Sequence, residues 1–267
     1  MLEEHYKLIN DLEPFIISAN LDKYDFNFRV NNKLIDNSLR FNPLQRSSSS
    51  FIDSVYSLDR ISFGNQNMGM DKWVFYDCAV MPGAVFGFSI HRSKLTKEDL
   101  QLFGHPKLEY IPLSMYIAIP TLEQGAWFGH NLCSLNNKLS LKLKGLGYLT
   151  KFFGINVFNP TKVLGATQWN SNALGLHLKF GPLKLLSALS KIHSKQNTLT
   201  YECFLNQDNE RYIGSEQILQ YFKPNEENLS KLQAYIENGA TIFIHELRIN
   251  TSEIQEVGIT SNQAISL

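Results

Sequence analysis

The chain has 267 residues, and its 25 Lys and Arg balance 25 Asp and Glu to a formal net charge of zero, which argues against a general electrostatic grip on nucleic acid or an anionic membrane. Hydrophobic residues make up 43% and aromatic residues 12%, the composition of a folded globular protein long enough for a substantial core. No apolar run reaches spanning length, and the opening MLEEHYKLIND has neither the basic nor the apolar region of a signal peptide. Cys78, Cys133 and Cys203 are an odd count without metal-type spacing, so they read as reduced thiols in a soluble cytoplasmic protein that holds no metal.

In chain order, Leu2, Tyr6, Ile9 and Leu12 suggest a helix over 2–13 that Pro14 ends. Tyr24, Phe26, Phe28 and Val30 alternate with polar residues as a strand would. Asn31-Asn32 then signals a turn, with Lys33–Phe41 as the returning partner. The serine run Ser47 to Ser50 reads as a loop, and Phe51, Val55 and Leu58 as a helix that Ser50 caps. Gly64 to Gly69 reads as an exposed connection. Trp73–Met81 and Ala84–His91 flank Pro82-Gly83 and are expected to form a β-hairpin. Thr96 with Asp99 three residues on marks a capped helix that Gly104 stops. Ile111–Pro120 and Ala126–Leu135 follow as strands around Thr121-Leu-Glu-Gln-Gly125, the second ending at Leu135 or running on through Leu143.

The most informative stretch is 138–182. Lys142-x-x-Gly145-x-Gly147 is a glycine turn, where tight backbone angles and close approach by a ligand are allowed. It opens a helix with Leu146, Leu149 and Phe152/Phe153 at the spacing of a buried face. A helix N-terminus carries unpaired N–H groups and partial positive charge, which suit a phosphate. Lys138, Lys142, Lys144 and Lys151 lie near enough in sequence to add to that attraction. After Pro160, Lys162–Thr167 reads as a short buried strand. Asn170 then caps a helix carrying Ala173, Leu176 and Phe180, and Gly181-Pro182 ends it. Leu183–Leu189 fits a strand or a helix, and Thr198–Leu205 a strand, joined through Ser194–Asn197. Asn225 caps a further helix with Leu229, Leu232, Tyr235 and Ile236 inward and Asn238-Gly239 closing it. Thr241–Ile249 alternates as a strand, and the polar sequence from Thr251 onward is expected to fray. No internal repeat or linker divides the chain.

On these residues the chain resembles the GNAT superfamily of acyl-CoA N-acyltransferases. That family's pyrophosphate loop, (Gln/Arg)-x-x-Gly-x-(Gly/Ala), is matched by Lys142-Leu-Lys-Gly145-Leu-Gly147. Its following Asn-x-x-Ala-x-x-Leu-Tyr-x-x-x-Gly-Phe is matched by Asn170-x-x-Ala173-x-x-Leu176-His177-x-x-x-Gly181-Pro182. Lys142, His177 and Pro182 depart from the pattern. The resemblance covers roughly residues 110–206 and implies an α/β fold of α+β type: a mixed, mostly antiparallel sheet with helices on both faces. It implies one domain over 1–267, with an acyltransferase-like core at 71–206 and additions at 1–70 and 207–267. A Rossmann turn is the rival for the glycines, but its third glycine would fall on Thr150 and no acidic residue stands about 20 positions on.

Acyl transfer from a thioester to an amine needs a held donor, a polarised carbonyl, a base for the amine and an acid for the leaving thiolate. The resemblance assigns the pantetheine arm to the backbone at Cys133–Asn136, with Leu135 between. It assigns the pyrophosphate to Gly145, Leu146, Gly147 and Tyr148 with Lys142, and the end of the pantetheine to Asn170 and Ala173. His177 stands where the family places a tyrosine that protonates the thiolate. An imidazole near pKa ~6.5 gives up a proton more readily than a phenol near ~10, while the competing reading makes His177 a hydrogen-bonded core residue. Candidate bases are His130, which can equally be an ordinary strand residue, and Glu123, which can equally be a solvated turn residue. His105, His193 and His245 have no partner pattern. The resemblance thus implies N-acyl transfer from acetyl-CoA or another acyl-CoA to a small-molecule or protein amine, with no nucleic-acid or membrane partner. The alternative is a catalytically silent module that binds CoA, an acyl carrier or a partner protein.

Overall fold

A computed structural model describes residues 10–23, 28–30, 33–35, 39–64, 69–104, 107–190, 198–205, 219–250 and 253–267. The helix expected over 2–13, most of the Gly64–Gly69 connection, the Ser194–Asn197 link, His105 and His193 lie outside these residues. The chain divides into two compact units, one within 1–120 and 129–159, the other within 121–128 and 160–267.

In the first unit, β1 (Glu13–Ile17) buries Phe15, Ile16 and Ile17. The short strands β2 (Phe28–Val30) and β3 (Lys33–Ile35) pair antiparallel as a hairpin of their own. The return expected over Lys33–Phe41 therefore ends at Ile35, and β4 (Leu39–Phe41) instead runs parallel to β1. The serine run is not a loop. A 3-10 turn at Arg46–Ser48 leads into α1 (Ser49–Phe63), with Ser48 at the cap position rather than Ser50. Trp73–Met81 is likewise not a strand but helix α2 (Lys72–Val80). Phe75, Cys78 and Ala79 are buried at helical spacing while Trp73 is 66% exposed, and Asp53 of α1 holds α2 by bonding Lys72 at 2.8 Å and Tyr76 at 3.1 Å. Short apolar runs fit both periods, and here the tertiary bonds select the helix.

β5 (Ala84–His91) then leads to α3 (Lys97–Leu102), whose capping box is formed as the sequence requires: Thr96 Oγ1 accepts from Asp99 N, and the Asp99 carboxylate accepts from Thr96 N. The unit continues through β6 (Tyr110–Pro112), β7 (Ser114–Pro120), β8 (Ala126–Ser134), of which 129–134 belong here, and α4 (Leu146–Phe158). The strand order is β8-β7-β5-β1-β4, with β6 also on β5.

Helices cover both faces of this sheet. Phe15 and Gly87 are cross-strand partners and so share a face, on which Phe15 meets Phe51 of α1. Phe86 points the opposite way and meets Phe153 and Phe158 of α4. Two glycines make the close packing possible. A Cβ at Gly87 would lie 2.1 Å from Ser114 O, and one at Gly154 would lie 2.9 Å from Tyr116 Cδ1 and 3.1 Å from Phe86 Cδ2.

The second unit contains β9 (Lys162–Gln168), α5 (Asn172–Leu178), β10 (Leu183–Ser190), β11 (Thr198–Phe204), β12 (Gln220–Phe222), α6 (Glu226–Glu237), β13 (Ile242–Asn250) and β14 (Glu253–Ser261). Its strand order is β9-β11-β10-β13-β14-β12, so β11 is inserted between β9 and β10, and the pairs are antiparallel. Leu183–Leu189 is thus a strand, and the region after Thr251 is a paired strand rather than a frayed end. Trp169, Leu174, Leu185, Tyr201, Leu229 and Ile244 belong to its core. Gln233 of α6 pins the irregular part of β10 by accepting from the backbone of Ala188 and Leu189 at 2.8 and 3.2 Å. The mixed, mostly antiparallel sheet with helices expected from the sequence is the fold class observed.

Candidate functional site

In the first unit, β8 ends at Ser134, and an anchored link carries the chain to α4. Leu135 N–H bonds Leu113 O at 3.0 Å, the Lys138 ammonium bonds Ile61 O, and Asp99 receives both the backbone N–H and the hydroxyl of Ser140. Leu139 and Leu143 are buried along the way. This explains a link a few residues longer than a bare strand-to-helix turn: Leu135, Lys138, Leu139, Ser140 and Leu143 each anchor it to the unit. Gly145 then takes φ +92°, a left-handed conformation that favours glycine. The α-helical ladder begins with Leu149 N to Gly145 O at 3.0 Å, which leaves the Gly147 amide ahead of it, among those a helix offers to an outside acceptor.

Of the four lysines near the turn, Lys142 and Lys144 are exposed. Lys138 is tied to Ile61, and Lys151 is 1% exposed within the packed side of α4. Lys151 therefore does not add its charge to the surface of the turn as the sequence suggested. Leu146 and Gly147 are buried and Tyr148 is half-buried against Phe152. Cys133 is buried, and burial pushes its thiol up to about 12, so its side chain serves as core while its backbone lies at the end of β8. Asn136 accepts a bond from the Ser134 hydroxyl at 2.7 Å. His130 is exposed on β8.

The remaining candidates belong to the second unit. Glu123 is exposed but ion-paired to Lys162 at 2.7 Å, and Lys162 also meets Glu202 at 3.0 Å. Burial pulls the Lys162 ammonium down, but the bonds and charges of Glu123 and Glu202 outweigh it and the pKa rises. Asn170 is exposed and is not the cap of α5. Ser171 takes that place and accepts from Ala173 N at 3.2 Å. The inward face of α5 is Leu174 and His177 rather than Ala173, Leu176 and Phe180, which are half-buried. His177 is 7% exposed, with its ring 5.2 Å from that of Tyr201. The residues from Cys133 to Tyr148 thus gather around one strand end and one helix start, while Ala173 and His177 share one short helix and Asn170 lies in the turn before its cap.

One pair escaped the sequence reading. Asp59 of α1 is 0% exposed, yet its two oxygens accept from Met70 N at 2.7 Å and from Asn131 Nδ2 of β8 at 2.6 Å. Burial raises its pKa against those bonds and against the charge of Arg60. The signal was present: Phe51, Ile52, Val55, Leu58 and Asp59 form one buried stripe, and a carboxylate on such a stripe requires partners. Among the described residues no group of three His, Cys, Asp or Glu side chains is placed to hold a metal ion, and no helix is long and apolar enough to cross a membrane.

No protein-family model matches the chain. A curated relative, the uncharacterized protein YihF of Escherichia coli strain K12, is 23% identical over 210 residues, 72% of this chain, and the match spans 40% of that protein's length. Similar solved structures include the ribosomal-protein-S18-alanine N-acetyltransferase of Escherichia coli, with 9% identity and a TM-score of 0.41 over 62% of this chain and 94% of that one. The aminoglycoside 6'-N-acetyltransferase of Enterococcus faecium has the same identity and TM-score, over 62% of this chain and 96% of that one.

Proposed function

We propose that this protein is an acyl-CoA-dependent N-acyltransferase, with acetyl-CoA as the ordinary donor and an amine as acceptor. The observation that carries the reading is the turn after β8: Gly145 in the left-handed conformation, the Gly147 amide ahead of the α4 ladder, and the exposed ammonium groups of Lys142 and Lys144 beside it. This is the physical equipment for a pyrophosphate. The backbone at Cys133–Asn136 is where the pantetheine arm would pair. Asn170 and Ala173 would meet its far end, and His177 would protonate the departing thiolate. Bases for the amine are His130 and Glu123. Three buried thiols, none in a disulfide among the described residues, fit a cytoplasmic setting. Calorimetric titration with CoA and with pantetheine, followed by thiol release from acetyl-CoA against amines, tests both halves. CoA binding no tighter than pantetheine overturns the phosphate assignment.

A second reading has its own support. Glu123 is held by Lys162, and His177 is buried against Tyr201, as befits a module that binds CoA, an acyl carrier or a partner protein without turnover. Tight CoA binding with no thiol release by the folded protein selects it.

A further inference from the structure

We propose that Ser114 and Thr150 are positioning residues for the donor site, setting the distance between the strand end that takes the pantetheine arm and the helix turn that takes the pyrophosphate. The inference rests on the acyl-transfer reading above and names what holds the two halves of that site in step.

The register of β5 shifts along its length. It pairs with β6 as Ser89↔Pro112 and with β7 as Phe86↔Tyr116, so the chain opposite Phe88 carries one residue more than a regular ladder, a β-bulge. Leu113 and Ser114 share that place. Leu113 N–H bonds Phe88 O at 2.8 Å, and Phe88 N–H bonds Ser114 Oγ at 3.2 Å. The same two residues hold both halves of the proposed donor site. Leu113 O accepts from Leu135 N at 3.0 Å, where β8 has just ended. Ser114 Oγ lies 2.7 Å from Thr150 Oγ1, which lies 2.7 Å from Leu146 O in the first turn of α4.

The protons of this chain have one arrangement. A carbonyl only accepts, so the single hydroxyl proton of Thr150 goes to Leu146 O, and Ser114 supplies the proton between the two hydroxyls. With Phe88 N–H at its head, the run of bonds points one way, from the sheet to the helix. Ser114 and Thr150 are both 0% exposed, so bulk water does not compete and the bonds reinforce one another. Leu146 adjoins Gly147, whose amide is proposed to meet the pyrophosphate. One bulge therefore fixes the end of β8 through Leu113 and the start of α4 through Ser114. Pantetheine and pyrophosphate are joined in the donor, which gains from both contacts at once only when the protein holds them at the matching separation. Loosening the tie to α4 leaves each half able to bind its own piece and removes the advantage of the whole.

The test compares Thr150→Val, which keeps the shape and removes the hydroxyl, with Thr150→Ser, which keeps the hydroxyl, and Ser114→Ala, which cuts the chain at its other end. Each is titrated calorimetrically with CoA, with pantetheine and with ADP, which supplies a pyrophosphate alone. Thr150→Val and Ser114→Ala should each weaken CoA by about tenfold or more, while pantetheine and ADP stay within about twofold. The double variant should lose no more than either single one, because both break the same chain. Thr150→Ser should regain the affinity for CoA. In the wild type, amide exchange at Phe88 and Leu135 should slow on CoA binding by more than it does in β1, since both amides end on the bulge. That readout is independent of whether any variant folds. A slowing at Phe88 and Leu135 no greater than in β1 overturns the inference and leaves the acyl-transfer reading standing. So does a folded Thr150→Val in which CoA weakens no more than pantetheine and ADP, since a merely structural role moves all three together. CoA binding to the wild type no tighter than pantetheine overturns both the phosphate assignment and this inference.

Discussion

Asp99 caps its own helix and at the same time holds Ser140, whose backbone N–H lies 2.9 Å from Oδ1 and whose hydroxyl meets Oδ2. One carboxylate thus closes the capping box of α3 and fixes the middle of the link that delivers the chain to Gly145. Burial opposes its charge, but the bonds from Ser140 and Thr96 together prevail and its pKa lies below the ordinary value. A depressed carboxylate pKa means that the stabilisation is present above the unfolded group's pKa and is lost as pH falls through the folded one. Asp99→Asn should therefore cost about 1–3 kcal/mol at pH 7. The gap from wild type should narrow below about pH 4. Urea unfolding at pH 7 and pH 3 measures this, and a gap independent of pH would remove the charge from the explanation.

Gly147→Asp places a carboxylate where the pyrophosphate is proposed to sit. CoA affinity should fall at least tenfold in the variant that remains folded, whose melting temperature also drops because position 147 is buried. Equal CoA affinity in a folded variant refutes the assignment.

Lys142→Ala should weaken CoA more than pantetheine, because only CoA carries phosphates. The difference should shrink at high salt, since an exposed ammonium acts through a screened field. Calorimetry in low and high salt reads both, and a loss that ignores salt would point to the lysine stem instead.

His177→Ala should lower kcat by roughly 10²–10⁴, the range for loss of a general acid, with CoA affinity little changed. His177→Tyr should restore part of the rate. A lowered melting temperature with an unchanged rate in the folded fraction would make the imidazole a packing partner of Tyr201 and no more.

Features that depend on a few neighbouring residues were legible in the sequence. Thr96 with Asp99, Asn225 before α6, Gly145 before α4 and Gly239 after α6 each carry their instruction within four positions, and each does locally what its chemistry requires. What failed depends on partners far along the chain. The segment from Trp73 to Val80 is apolar at most positions, so its own pattern fits two periods, and its bonds to Asp53 are invisible without the fold. Glu253 to Ser261 looks too polar to order until β13 supplies a ladder for it. At the candidate site, the glycine turn could be found from spacing. The burial of Lys151 and His177 could not, because helical spacing gives a residue's angle around the axis but not the depth of what packs there. The link between Asp59 and Asn131 spans 72 positions, and only the misplaced charge on the α1 stripe hinted at it.

Gly154 sets how deeply α4 sits on its sheet, since even a methyl there would press on the rings of Tyr116 and Phe86. The helix is a stiff rod, and Gly145 lies nine residues away along it, about 13 Å at the α-helical rise. A lift of a few tenths of an ångström at Gly154 must either tilt this rod about its far packing or raise it bodily, and both displace the turn at its other end. Position 154 thus works as a height adjustment for a surface it never touches. Larger residues there should detune anion binding in order of side-chain size, with the lysines and glycines of the turn left in place.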